Sequence, residues 1–425
     1  MDLTQEVLVL RDVLIPGGRV CDITLSGGRV SHLGASGKAD TIYRCHDTIV
    51  VPAGIDMHVH MRDGVQAQKE DWESGTKSAL AGGVTVVVDQ PNTIPPVTTG
   101  KILQDRAHLA QEQAYCNFAI NAGVTVDADL EGMARAGAMA FGETFAGPSS
   151  YGEALSRDDL KSAIYSIRNL DGLVTLHAEI VHEGQDNTLA AHDILRSTAG
   201  ERQAVQMIQE IATPGSRIHF CHISSAETIT TIKSKETGTI EVTPHHLFLS
   251  HDSCTPDDTH AKVNPPLRKE CERKRLWECW SKIDVIASDH APHTLKEKSV
   301  PFSDAPSGIP GVETMIPLLM AEVHHGRISL TDVIEKTSTN PARILGIEPA
   351  GYQPGMRADF ALYPKTSSTI QVENLFSKAG WTPYEEMEGV FPEMVIMSGQ
   401  VAYDQGACIK TNPTWIKGRG YIPEK

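Results

Sequence analysis

The chain has 425 residues, 40% of them apolar and 22% charged, enough for one large domain with a substantial core and a smaller one beside it. Lys+Arg 38 against Asp+Glu 54 leaves a net charge of −16. That balance argues against nucleic acid or an anionic membrane as a general partner, because both attract a positive field. No apolar run approaches the ~18 residues that suggest a membrane span. With no signal-like apolar segment at the start, the eight cysteines, which include no CxxC pair, are read as reduced thiols of a cytoplasmic protein.

Residues 1–48 carry short alternating runs (VLVLRDVLI, VCDITLSGGRVSHLG) broken by glycine pairs, a pattern of strands and turns. From Ile49 onwards, apolar strand-like runs alternate with helix-like stretches. The strands are IVVPAGIDMHV, VTVVVDQ, CNFAINAG, AMAFGE, LVTLHAE, RIHFCHI, TIEVTPHH and DVIASDHA, the last starting at Asp284. Gly82 and Gly83 supply the stop of the first helix. Eight such alternations predict an α/β fold, a (β/α)8 TIM-like barrel over residues 49–349. Beyond Pro349 the strand-and-turn pattern returns in MRADFALY, EMVIMSG and QVAYD. Residues 1–48 and 350–425 are therefore expected to form one small β-sandwich domain from both termini.

The chemistry sits at the strand ends, where barrel enzymes place their catalytic groups. His58 and His60 are two apart on one strand, so both rings share a face and Val59 points away. Glu143 follows AMAF, His177 follows LVTL, His222 follows RIHFC and Asp289 follows DVIAS. Any one of these histidines alone would more often be structural. Four histidines and two carboxylates converging from strand ends can hold divalent metal and make a metallohydrolase. Cys221 precedes His222 and points to the opposite face, so it is read as core.

The runs VPAGIDMHVHMRD, AGGVTVVVDQPNTIPPVTT, EVTPHHLFLS, KVNPPLR, IASDHAPHT and GIPGVETMIPLL resemble the dihydroorotases of the amidohydrolase superfamily. The likeness covers nearly the whole chain, and HMRD, PNT and SDHAPHT together are specific to that group. It implies a cyclic amide hydrolase of pyrimidine biosynthesis, interconverting N-carbamoyl-L-aspartate and L-dihydroorotate. It also implies zinc, two ions bridged by Glu143 and hydroxide: His58, His60 and Asp289 on the first, His177 and His222 on the second. Many relatives bridge their metals with a carboxylated lysine. Here the only lysine between Val124 and His177 is Lys161, in a helix-like stretch, so the chain resembles the type lacking that lysine.

By the same resemblance Asp289 is the general base and then the general acid, and Arg62, Asn92 and His293 bind the substrate carboxylate. Asn264 is expected at the ring amides, and Pro306 and Gly308 present backbone groups to the ring. Asp56 is a candidate second partner of a ligand, and Glu179, His182, His245 and His246 are given only support. TFAGPSSYG after Glu143 is read as a mobile or an ordered loop. A homodimer and an association with aspartate transcarbamoylase are the macromolecular partners the resemblance allows. The rival readings are an allantoinase or hydantoinase, and a non-catalytic partner of the transcarbamoylase.

Overall fold

A computed structural model describes residues 6–34, 39–145 and 155–423. The predicted loop TFAGPSSYG falls mostly on residues 146–154 and lies there outside the described residues.

The central unit is an eight-stranded parallel barrel. Gly54–Val59, Val84–Asp89 and Asn117–Ile120 form one arc. Phe141–Phe145, Leu173–His177, Arg217–Phe220, Thr239–Val242 and Val285–Ile286 form the other. Backbone hydrogen bonds close the ring on both sides. Ala122 N donates to Ala140 O and Gly142 N to Ala122 O, each at 2.8 Å, while His60 N donates to His290 O at 2.8 Å.

The outer helices start where short polar side chains can cap them. Asp71, Thr99, Asp129, Ser156, Ser197 and Ser225 each accept from a backbone N–H in the first turn of the helix that follows. Such caps are worth about 1 kcal/mol each. The first helix, Trp72–Ala81, ends on the glycine pair as expected. Gly83 has φ +88°, and a Cβ there would stand 2.0 Å from Tyr363 Oη, so the chain reverses only with glycine at this point. Ile55, Val86, Leu173 and Val285, all in the N-terminal halves of their strands, join Ile344 and Leu345 in one core. That core plugs the barrel at the end away from the catalytic residues.

Both termini share a nine-stranded sheet. Its order runs Ala407–Cys408, Gln400–Asp404, Met394–Met397, Phe360–Pro364, Thr48–Pro52, Val7–Ile15, Arg19–Ser26, Arg29–Leu33, with Thr41–Arg44 also on Val7–Ile15. Side-chain alternation gives this sheet two apolar faces. Val50, Phe360, Leu362 and Ile396 enter its own core with Leu10 and Ile23, whereas Val51, Ala361, Tyr363 and Val395 join the core of the barrel. The β-sandwich expected from the two termini is thus a single sheet, with one face on its own core and the other on the barrel.

Two details differ from the sequence reading. The run from Ile49 to Val59 is two strands: Thr48–Pro52 pairs with Phe360–Pro364 in the terminal sheet, and the barrel begins at Gly54. The switch falls at Ala53, whose N–H goes to Asp359 O while the next goes to Gly83 O. An unbroken apolar run hides such a change of partner, because both sheets bury it. The C-terminal region is likewise not all β domain. Val390 bonds Pro317 of helix Met315–His324, and Thr414–Ile422 runs along the barrel at Phe118, Gly137 and Arg135. We therefore place the domain junction at Ala53 and count these returning segments with the barrel.

Candidate active site

Three of the residues at the strand ends have backbone angles that ordinary side chains seldom adopt. Arg62, His222 and Asp289 have φ of 53°, 35° and 47°. Strain of this kind costs on the order of 1–3 kcal/mol per residue and tends to collect where function fixes a side chain. Here it accompanies the turn of His222 and Asp289 into the barrel mouth, where they meet the other predicted ligands.

The convergence is close. His60 Nε2 lies 3.1 Å and His58 Nε2 3.4 Å from Asp289 Oδ1. Glu143 Oε1 is 2.5 Å from His222 Nε2 and 2.8 Å from His177 Nδ1, and its Oε2 is 3.7 Å from His58 Nε2. His177 Nδ1 and His222 Nε2 stand 3.1 Å apart. Ligands ~2.0–2.1 Å from a tetrahedral zinc are roughly 3.3 Å from each other, so this spacing suits a shared cation. His58 Nε2 has no hydrogen-bond partner among the described residues, which is how a lone pair kept for a metal stands. Among the described residues three groups of donor atoms are compact enough for a cation, His58–His60–Asp289, His58–Glu143–His222 and His58–Cys221–Glu241, and the first two contain the expected ligands.

Each of three ligand rings is turned by an acceptor on its far side. His58 Nδ1 meets Glu241 Oε1 at 3.0 Å, His60 Nδ1 meets Asn92 Oδ1 at 2.7 Å, and His177 Nε2 meets Glu179 Oε2 at 2.9 Å. A carboxylate or amide oxygen only accepts, so the proton sits there and the other nitrogen faces the site. Glu179 is in turn paired with Arg196. Burial raises a carboxyl pKa, yet the His177 contact and Arg196 hold Glu179 down at about 2. Glu143 is pulled well below the carboxylate range against its burial by His177, His222 and His58, and its contacts raise His177 to about 9 against burial. Bound metal takes the place of such shared protons.

Cys221 also lies close to His58 and Glu241. Burial pushes its thiol up to about 12, so it carries no thiolate at neutral pH and remains a core residue.

A cavity of about 370 Å³ opens over these groups. His60, Glu143, His177 and Asp289 line it, together with Arg62, Asn92, His293, Asn264, Pro306 and Gly308, while His58 and His222 are buried beside it. Every residue expected at the substrate therefore reaches one space. Arg62 Nε donates to Pro292 O at 3.3 Å. Burial lowers its pKa to about 10, which leaves it charged at neutral pH. Asn264 Oδ1 is 2.9 Å from His192 Nε2, and Lys298 Nζ donates to Pro306 O at 2.9 Å, fixing the rim.

Other candidates sort differently. Asp56 does not reach a ligand ring; it accepts from the backbone N–H of His58 and Ser288. His246 is structural, between Thr243 Oγ1 and Pro265 O, and His182 is exposed. His245 is buried with neither ring nitrogen hydrogen-bonded among the described residues, and burial lowers its pKa to about 4. Lys161 lies exposed on helix Arg157–Asn169, outside strand Phe141–Phe145 that carries Glu143.

Sequence reading missed Glu241, Lys69 and Arg196. Glu241 had one visible signal, a carboxylate within the apolar strand TIEV, where a buried charge needs partners. Lys69 and Arg196 sit in loops and resemble any surface cation until the chain is folded.

A parallel barrel with histidines and carboxylates gathered at its C-terminal mouth defines a metal-dependent hydrolase. The amidohydrolase family model matches residues 49–402, and the chain belongs to that family, among its dihydroorotases. It is 37% identical over 407 residues to a dihydroorotase of Halobacterium salinarum, covering 93% of this chain and 96% of the relative. A dihydroorotase of Pyrococcus furiosus is 38% identical over 374 residues, 85% of this chain and 83% of its own. The fold is shared with the L-hydantoinase of Arthrobacter aurescens at a TM-score of 0.86, with 23% identity and coverage of 95% and 97%. A D-hydantoinase from a Bacillus species gives a TM-score of 0.88 at 21% identity, covering 98% and 100%. Among the described residues no helix is long and apolar enough to cross a membrane.

Proposed function

We propose that the protein is a dihydroorotase, opening L-dihydroorotate to N-carbamoyl-L-aspartate and, in the biosynthetic direction, closing it with loss of water. The observation that carries this reading is the joint lining of one cavity by the Glu143–Asp289 ligand cluster and by Arg62, Asn92 and His293. A ring carboxylate calls for a forked cation beside amide donors. Hydantoin and allantoin lack that carboxylate, so Arg62 speaks against the hydantoinase and allantoinase readings. All six ligand positions hold competent residues, which speaks against a non-catalytic partner of the transcarbamoylase.

His58, His60 and Asp289 would hold one zinc ion and His177 and His222 a second. Glu143, whose two oxygens face the two groups, would join them. Divalent metal held there supplies Lewis acidity and a water activated at neutral pH. The rest falls to the chain. Asp289 takes a proton as water adds to the ring amide carbonyl carbon and returns it to the ring nitrogen as the C–N bond breaks. The His58 and His60 contacts keep Asp289 below the usual carboxylate range despite burial, so it begins as the base. Arg62 holds the substrate carboxylate, and the rim at Asn264, Pro306 and Gly308 orients the ring. Eight free thiols fit a cytoplasmic location.

Ring opening by zinc-supplied protein is the test, with hydantoin and allantoin in parallel. Turnover of dihydroorotate alone is expected. Turnover of hydantoin or allantoin instead would replace the reading, and metal-free, inactive protein would favour the scaffold.

A further inference from the structure

Lys69 lies in the turn after the first barrel strand and lines the cavity. Its ammonium is 3.2 Å from His293 Nδ1 and 2.8 Å from Glu297 Oε1. Glu297 is itself immobilised, because it accepts from Thr294 N and Thr294 Oγ1 in the capping box of helix Leu295–Lys298. The cation is thus held at a fixed point before any substrate arrives.

The donors around His293 leave one arrangement. An ammonium only donates, so Nδ1 must accept from Lys69. Nε2 faces the carbonyl of Ser307 at 3.1 Å, which only accepts, so Nε2 carries the proton. Arg62 Nη2, 3.3 Å from Nε2, is then a charge beside the ring and not its hydrogen-bond donor. Both ring nitrogens are used, and neither remains to hold a ligand. Lys69 has three N–H groups, two of them met by His293 and Glu297, and it faces the same cavity as Arg62.

We propose that Lys69 is a positioning residue that locks His293 as the neutral Nε2–H tautomer and, with Arg62, supplies the second positive charge that selects a carboxylate-bearing ring. This rests on the dihydroorotase reading and adds the source of its charge selectivity. The groups facing His293 agree: besides Lys69 these are Arg62, Lys298 and the more distant Glu297 carboxylate at 3.9 Å. Burial and the three cations hold the ring well below its ordinary pKa.

The test uses zinc-loaded wild type, Lys69→Met and Lys69→Arg, with KM and kcat for dihydroorotate and calorimetric binding of orotate, which keeps the ring carboxylate. Lys69→Met should raise KM and weaken orotate at least about tenfold at pH 8, with kcat changed far less. Lys69→Arg should restore most of both. In Lys69→Met the ring is relieved of one cation, so the midpoint of the His293 ring titration, followed by NMR, should lie above that of the wild type. Unchanged KM and orotate affinity in Lys69→Met would overturn the proposal, and an unmoved His293 midpoint, or a wild-type ring with its proton on Nδ1, would overturn the tautomer lock. Failure of the wild type to open dihydroorotate would overturn the functional reading instead, and orotate binding would then decide on Lys69 by itself.

Discussion

Glu241 Oε1 lies 3.0 Å from His58 Nδ1 and also 3.0 Å from the backbone N–H of His222. Its other oxygen meets His219 Nε2 at 3.0 Å. One buried carboxylate thus orients a ring from the first strand and anchors the backbone of a ligand from the sixth. Three donors converge on two oxygens, and two of them, His58 and His219, hold its pKa low in spite of burial.

Replacing Glu241 with Gln would turn an N–H toward one of those donors. We expect metal affinity to fall by roughly 10–100-fold, as for other partners of metal-ligating histidines. Competition with a chelator of known affinity measures it, and wild-type affinity in the Gln variant would remove Glu241 from the site's support.

Asp289→Asn should cut kcat by about 10³-fold or more, because the amide neither takes nor returns the proton. At least the metal held by His177 and His222 should remain, as read by elemental analysis of the purified variant. Near-normal turnover would contradict the role assigned to Asp289.

Arg62→Met removes charge-assisted hydrogen bonds worth about 1.5–3 kcal/mol, so KM should rise roughly 10–100-fold with metal content unchanged. Loss of metal in this variant would show that Arg62 supports the ligands and not the substrate.

Glu313 offers a test in stability. It is buried, accepts from Phe376 N at 2.9 Å, and burial raises its pKa to about 8. The folded protein then holds a proton that the unfolded chain releases near 4.5, so folding stability falls as pH rises from about 4.5 through 8. The slope amounts to a cost on the order of a few kcal/mol. Glu313→Gln should match wild type near pH 5 and exceed it above pH 8 in denaturation midpoint. Equal midpoints at both pH values would show that Glu313 is ionised in the fold.

Chelation should abolish ring opening and lower the thermal midpoint, since a metal that binds only the folded state stabilises it by mass action. Added zinc should restore both. Recovery with manganese or cobalt but not zinc would change the metal and leave the ligands in place.

Much of this was legible in the chain itself. The alternation of apolar runs and amphipathic stretches specifies a barrel because a parallel strand buried on both faces must be followed by a crossover. Its chemistry-bearing residues stand at strand ends, so their positions in sequence already name the mouth. His58 and His60 share a face by strand geometry alone, and their rings do lie side by side, 5.4 Å between centroids. The tertiary structure decided what pairs with what. Ile49–Val59 reads as one apolar run, and only hydrogen-bond partners from residues 359 and 83 show that it changes sheets at Ala53. Lys69 and Arg196 carry charges that the sequence does not distinguish from surface charge, and Glu241 showed only that its strand buries a carboxylate. Their roles come from atoms far away along the chain, 224 positions for Lys69 and His293, brought within hydrogen-bond distance by barrel closure. Local pattern determines which elements form, since it acts over a few residues. The orientation of each ligand ring is set by partners from other strands, and no local pattern encodes those.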